Sequence, residues 1–339
     1  MSPKPIVAGH IFIKDPALEH VKPAVWNTIP NIWKKIRFDA MNVLYISPFS
    51  VLPNKGFGLI PQDGQLDALE KRFEWVVARA RELNPDIKII VMNMYGCDEG
   101  FNMLTSDYEI DVYTSSVAAF MDSWHNRTLT TDSGKTVPGH IDGYDIDYEA
   151  ATVVENAGAV LTSIRTKLYA VSNKYKISEF QVSASSDRTT YLEKMAPVLN
   201  YVNMQNYDGG ARVDPLTYRT QIKGIQYTQL LRGISSEKME PVNRPETLDA
   251  IKKQDLKLLL KVDNTHSYAG VMVWRLNSDN WVYENAFQVM LYNQIHGTSL
   301  AQLPDFAFAD NATIYKGWDG KGRDAHGNLT GPWTGFPYD

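Results

Sequence analysis

Eight short runs of apolar and β-branched residues recur along the chain with helical stretches between them, and this alternation leaves few architectures open. The runs lie near residues 5–13, 41–47, 87–94, 140–149, 179–185, 200–206, 229–235 and 269–275. Several are apolar almost throughout, as in Ile89-Ile90-Val91-Met92 and Gly270-Val271-Met272-Val273-Trp274. A strand apolar at every position has to be covered on both faces, which is the condition of a parallel sheet under helices. The helices between the runs are legible. Leu66, Leu69, Phe73, Val76, Ala80 and Leu83 fall at three- and four-residue steps, and Asn84-Pro85 stops them. Val160, Ile164, Leu168 and Val171 make a second stripe. Asn243-Arg244-Pro245-Glu246 reads as a helix start, with Asn243 or Arg244 outside and Pro245 in the first turn. Leu248, Ile251, Leu258 and Leu259 continue it less regularly. Ile29-Pro30 is expected to kink or divide the first helix.

The fourth run breaks the apolar rule. It reads His140-Ile141-Asp142-Gly143-Tyr144-Asp145-Ile146-Asp147-Tyr148-Glu149-Ala150. In an extended strand its side chains alternate between two faces, so Asp145, Asp147 and Glu149 share one and Tyr144, Ile146 and Tyr148 the other. The apolar face wants a helix; the acidic face needs water or a function. Three carboxylates on one face repel each other, and burying them raises their pKa values or forces proton sharing. A solvated edge strand is the plain alternative. It fits poorly, because acidic residues are weak strand formers.

Asp142-Gly143-x-Asp145-x-Asp147-x-Glu149, with aromatic Tyr148 before the last acid, resembles the signature of glycoside hydrolase family 18, the chitinases and endo-β-N-acetylglucosaminidases. Every signature position is filled. The resemblance implies a (β/α)8 TIM barrel, with this segment as its fourth strand and Glu149 at the C-terminal end, where barrel enzymes carry their sites. The sixth run, ending Gln205-Asn206-Tyr207, and the eighth, ending in Trp274, are similar to the same family. There a tyrosine and a tryptophan at those strand ends form the subsite for the sugar being cleaved. Gln205 matches the Gln-x-Tyr form of plant-type class III chitinases, and Met204 is out of register for the methionine other members carry. Asn93-Met94-Tyr95-Gly96 sits where the family usually has Ser-x-Gly-Gly. Asn93 is expected to replace the serine hydroxyl as partner of Asp142 or Asp145, and Tyr95, a departure from the pattern, to reshape the cleft.

The chemistry that the resemblance implies is substrate-assisted hydrolysis of β-1,4-linked N-acetylglucosamine, an exception among retaining glycosidases. The substrate's 2-acetamido oxygen attacks its own anomeric carbon and forms an oxazolinium ion. Glu149 protonates the leaving oxygen and then takes a proton from water, which needs a raised pKa that Asp147 can supply. Asp147 orients the acetamido N–H, Asp145 shares a proton with Asp147, and Tyr207 holds the acetamido oxygen in line. Asp142, Gln205, Trp274, Tyr95 and Asn93 complete the expected substrate-binding set, Trp274 as the apolar floor. Taken alone, Tyr207 and Trp274 also read as ordinary core aromatics.

Substrate identity stays open between chitin or chitooligosaccharides and the chitobiose core of N-glycans. A lectin on the same barrel is the rival class, although such members have usually lost the equivalent of Glu149; transfer to a sugar acceptor is a third reading. The stretch 237–268 has room for one helix and its loops, not for the insertion domain of many chitinases, so an open cleft and endo attack are expected. Gly56-Phe57-Gly58 and Tyr95-Gly96 would be rim loops carrying aromatic sugar platforms. Asp187, after the fifth run, receives no role.

Length and composition agree with this reading. The 339 residues suit one barrel of about 250 residues plus extensions. A net charge of -5 without a basic stripe argues against nucleic acid, and no apolar run reaches membrane-span length. The seven histidines are scattered without metal spacing, so neither metal nor cofactor is expected; His140 reads as structural. Cys97, the only cysteine, excludes an intrachain disulfide and reads as a packing residue. Residues 1–297 are assigned to the barrel. Residues 298–339, too short to bury a core of their own, are read as an arm packed on it, although Trp318, Trp333, Phe336 and Tyr338 also offer a sugar-binding surface. A monomer is expected. Met1-Ser2-Pro3-Lys4-Pro5 leads directly into Ile6 with no secretory signal, so the expectation is an extracellular mature form whose leader has been removed, or else a cytoplasmic protein.

Overall fold

The computed structural model describes residues 4–14, 29–60, 66–94, 100–205, 215–235, 256–277 and 281–302. Its strands are β1 (Ile6–Phe12), β2 (Val43–Val51), β3 (Phe57–Leu59), β4 (Lys88–Asn93), β5 (Thr128–Thr130), β6 (Thr136–Pro138), β7 (Gly143–Tyr148), β8 (Gln181–Ser186), β9 (Tyr201–Met204), β10 (Leu230–Ser235) and β11 (Gly270–Trp274). Eight of them, all parallel, close into a ring in the order β1-β2-β4-β7-β8-β9-β10-β11, with β11 returning to β1. These eight are the eight expected runs, with their ends shifted: most are shorter, while β2 runs on to Val51 and β8 to Ser186. With helices between the strands, the protein is a (β/α)8 barrel.

The helices are α1 (Leu66–Leu83), α2 (Asp107–His125), α3 (Ala157–Tyr175), the short α4 (Leu192–Met195) and α5 (Pro215–Gln221), and α6 (Trp281–His296). The expected stripe on α1 buries Leu69, Phe73, Val76 and Ala80, while Leu66 in the first turn is 39% exposed. Each large apolar side chain buried this way stabilises the fold by about 1.5–3 kcal/mol. On α3, Val160, Ile164, Leu168 and Val171 are all buried. Helix α2 begins with a capping box: Ser106 accepts from the Glu109 backbone N–H, and Glu109 reaches back to the Ser106 N–H. That arrangement satisfies two donors that a helix start leaves orphaned.

After Pro30 the chain forms two 3-10 turns, Asn31–Lys35 and Phe38–Ala40; residues 15–28 lie outside the described residues. So does the expected helix from Asn243, apart from a 3-10 turn at Leu256–Leu260. The arm, from residue 303 onward, and Cys97 also lie outside them. Among the described residues no helix is long and apolar enough to cross a membrane.

Two apolar layers result from the alternation of strand side chains. The outer one packs Val7, Ile11, Leu44, Ile46, Ile89, Val91, Tyr144, Ile146 and Tyr148 against the helices. The inner one fills the N-terminal half of the barrel with Ala8, Val43, Tyr45, Ile90, Leu231 and Met272. Gly143 is required between them: a Cβ there would stand 2.3 Å from the Gln181 carbonyl oxygen.

Asp142 does not point to the barrel mouth, contrary to its expected place in the substrate set. It precedes β7, at the strand's N-terminal end, and its carboxylate binds Arg81 Nη2 at 2.7 Å, Lys88 Nζ at 3.1 Å and the Ile89 N–H at 2.9 Å. His140 Nε2 lies 3.6 Å from it. Arg81 also donates to the carbonyls of Ile87 and His140. The cluster ties α1 to the floor of the barrel. Being three residues before Asp145, Asp142 has the opposite strand parity and cannot share its face.

Candidate active site

Beyond the inner apolar layer the barrel interior turns polar. Asp145 is fully buried on β7, in register with Met92 on one side and Ser183 on the other. Its carboxylate accepts from Ser183 Oγ at 2.5 Å and Ser185 Oγ at 2.8 Å, with Asn203 Nδ2 at 3.4 Å. Asn203 also donates to Ser185 Oγ at 3.0 Å, and Tyr45 links Asn203 to Gln181. Burial pushes the Asp145 carboxyl up to about 7, against the two serine hydroxyls that favour its charged form. The same burial, with the Asp145 charge, raises the Tyr45 phenol and keeps it neutral.

One pleat further along, Asp147 is also buried. Gln205 Nε2 donates to its Oδ1 at 2.7 Å, and Glu149 is hydrogen-bonded to it from the strand end. Glu149 is half-buried. Its carboxyl is held well above the ordinary range, first by burial and then by the charge and hydrogen bond of Asp147, with a smaller push from Asp187. Two close carboxyl groups resist both being ionised, so the pair retains one proton. Asp147 and Glu149 are thus a close, hydrogen-bonded carboxyl pair. Asp145, expected to share a proton with Asp147, is held by the Ser183 and Ser185 hydroxyls and the Asn203 amide.

Trp274 ends β11, which stands across the ring from β7. It shares the interior face with Met272 and meets His10 edge-on, with ring centroids 5.4 Å apart. His10 stacks on Tyr45 at 4.6 Å, and burial drives its imidazole pKa down to about 3. It stays neutral at physiological pH. The Trp274 indole thus packs against an uncharged imidazole, with the Arg275 guanidinium 5.9 Å from its ring centroid.

Two further expectations are corrected. Asn93 belongs to the outer layer, not to the site: its Oδ1 accepts from Tyr113 Oη at 2.6 Å, and Tyr113 meets Tyr144 Oη at 3.0 Å. Counting from inward-facing Ile90 and Met92, Asn93 points outward. Phe57, expected on a sugar platform, is 8% exposed and stacks on Phe49 with centroids 5.1 Å apart. Strand β3 pairs antiparallel to the end of β2 and folds the ring into the shell. Tyr207 and Tyr95 lie outside the described residues.

Sequence reasoning gave Asp187 no role, yet it is 4% exposed beside Glu149. It has the strand parity of Ser183 and Ser185, a signal present in the sequence. Among the described residues no group of three or more acidic, histidine or cysteine side chains is arranged to hold a metal.

No protein-family model and no curated protein matches the chain. Solved structures do. A GH18 chitinase from Cycas revoluta in complex with (GlcNAc)3 superposes with a TM-score of 0.59 at 14% identity, over 86% of this chain and 100% of that one. A chitinase from Bacteroides thetaiotaomicron gives 0.55 at 15%, over 89% and 100%. A mutant class V chitinase from Nicotiana tobaccum in complex with NAG4 gives 0.54 at 13%, over 88% and 100%. At such identities the likeness is one of fold.

Proposed function

We propose that the chain is a family 18-like glycosidase that hydrolyses β-1,4-linked N-acetylglucosamine, with Glu149 as the acid. The observation that carries this reading is the hydrogen-bonded row Gln205–Asp147–Glu149 at the open end of a barrel, where burial and the Asp147 charge hold the Glu149 carboxyl well above its usual range. A carboxyl held above its usual range and partly exposed at the open end of a barrel suits general-acid catalysis. Chitooligosaccharides bound to the structural neighbours favour the same class of sugar.

In this scheme Glu149 gives its proton to the glycosidic oxygen as the acetamido oxygen closes on the anomeric carbon. Asp147, the anionic member of the pair and steadied by Gln205, faces the acetamido N–H and the growing positive charge on the ring. Asp145 and its serine partners form the base on which Asp147 rests. Tyr207 holds the acetamido oxygen in line, and Trp274 lies beneath the sugar. Glu149 then recovers a proton from the attacking water.

The experiment compares hydrolysis of chitooligosaccharides with release of glycan from a high-mannose glycoprotein, using the wild type and Glu149→Gln. Turnover on the first favours a chitinase; turnover on the second alone points to the N-glycan core. Glu149→Gln should lose about 100- to 10,000-fold in kcat and keep its fold by circular dichroism. Binding without turnover in the wild type would leave a lectin. Inhibition by a thiazoline mimic of the oxazolinium tests substrate assistance, and indifference to it would refute that step.

A further inference from the structure

The ladder between β7 and β8 runs in register through Asp147↔Ser185 and Tyr148↔Ser186. Glu149 and Asp187 are the residues that follow, one from each strand end, and the Asp187 charge acts on Glu149. Asp187 is buried, and its Oδ1 pairs with Arg188 Nε at 3.1 Å, while the Arg188 side chain is 48% exposed. Their loop is fixed. Ser186 Oγ donates to the Arg188 carbonyl at 2.8 Å and accepts from the Arg188 N–H at 3.0 Å, and Tyr218 Oη donates to the Ser186 carbonyl at 2.7 Å. On the other side, the Glu149 N–H donates to Thr152 Oγ1 at 2.9 Å. Acid and pair are thus each held by hydrogen bonds at the ends of neighbouring strands.

We propose that Asp187 favours the proton-bearing state of Glu149 and that its ion pair with Arg188 limits how strongly it does so, a role that rests on Glu149 being the acid. The charged groups facing Glu149 among the described residues are Asp147 on its own strand and Asp187 and Arg188 at the end of β8. Asp145 lies deeper on the same face, and Gln205 is neutral. Asp147 and Asp187 both disfavour a second anion at 149, and Arg188 offsets them. The two acids are not equivalent. Asp147 is engaged by Gln205 and, in the proposed reaction, by the substrate. Asp187 faces neither, so its field persists through the cycle and favours reprotonation of Glu149 once product leaves. Arg188, half in water, sets how strong that field is. These are positioning residues acting through Glu149, and they do not touch the sugar.

The test is a carboxyl 13C NMR titration of Glu149, its resonance assigned by loss in Glu149→Gln. It is run on the full chain as wild type, Asp187→Asn, Asp187→Glu and Arg188→Gln, beside the pH profile of kcat on a fluorogenic chitooligosaccharide. Asp187→Asn should lower the Glu149 midpoint by about one unit and Asp187→Glu should restore it, while Arg188→Gln should raise it by about half a unit. The alkaline limb of the kcat profile should move the same way in each case. Midpoints unchanged, or moved in the same direction by Asp187→Asn and Arg188→Gln, would overturn the pair. If Asp187→Asn fails to fold, Arg188→Gln at its half-exposed position decides alone. A wild type without turnover on any such sugar would remove the acid assignment instead, and the titration would still decide the charge pair.

Discussion

Asp142 and Asp147 are five residues apart and have opposite duties. Asp147 is held by Gln205 and Glu149 at the mouth of the barrel, whereas Asp142 is held by Arg81, Lys88 and the Ile89 N–H at its floor. Arg81 is nearly inaccessible, with a side chain 2% exposed, and Asp142 is 9% exposed. Removing one partner of such a pair leaves a buried charge without full compensation. Asp142→Asn should therefore cost about 3 kcal/mol of stability and leave KM for a chitooligosaccharide unchanged. A urea titration measures the first and initial rates the second; a raised KM with unaltered stability would return Asp142 to the substrate. The sequence already contained the distinction, since strict alternation from Asp145 gives Asp142 the wrong parity. The signature hid it, because a motif records which residues recur together and not which end of a strand each occupies.

Elements differ in how plainly the sequence declared them. The eight barrel strands were legible because each is covered on both faces, and continuous apolar runs of that length have few other uses. Strand β3 and the β5–β6 hairpin were not, since three residues carry no period. Helix α2 had a readable start in Ser106-x-x-Glu109, but Tyr108 is 77% exposed and Tyr113 fully buried, so its apolar stripe is blurred by aromatics on both sides. At the site, Asp145, Asp147 and Glu149 were placed on one face by counting alone. The Ser183, Ser185 and Asn203 partners of Asp145 could not be, because they come from two other strands whose register only the closed ring fixes. That register makes Gly143→Ala the severest test of an element. The new methyl carbon would meet backbone at the Gln181 carbonyl, not a side chain that can rotate away. The β7–β8 pairing has to open, at about 3 kcal/mol or more, whereas Ser106→Ala, which removes only a helix cap, should cost about 1 kcal/mol. Denaturant midpoints of the two variants give the ordering, and a Gly143→Ala protein as stable as Ser106→Ala would mean that the two strands are not paired as described.

Across the whole molecule, two populations of carboxyl groups pull stability in opposite directions with pH. In the barrel, burial raises Asp145 to about 7 and lifts Glu149 higher still. A carboxyl whose folded value exceeds its unfolded one binds its proton more tightly in the native state. Its contribution is complete below the unfolded pKa near 4 and is lost as pH rises through the folded value. For Asp145 that contribution is at most about 4 kcal/mol. On the surface, hydrogen bonds from Thr105 hold Glu109 down to about 2, and those from His266 and Thr265 lower Asp263. Such groups stabilise above the unfolded pKa and lose their effect as pH falls through the folded value, but they are exposed and screened by salt, so their share is small. The buried set wins. Melting temperature should peak on the acid side of neutrality and decline toward pH 9, with Asp145→Asn removing its share of the decline from about pH 4 to 7 and Glu149→Gln removing its share over the whole range from about pH 4 upward. Calorimetric scans across that range measure both slopes. A wild type whose stability climbs steadily to pH 8 would mean that these carboxyls are already ionised in the folded barrel, and the retained proton on which Glu149 depends would be gone.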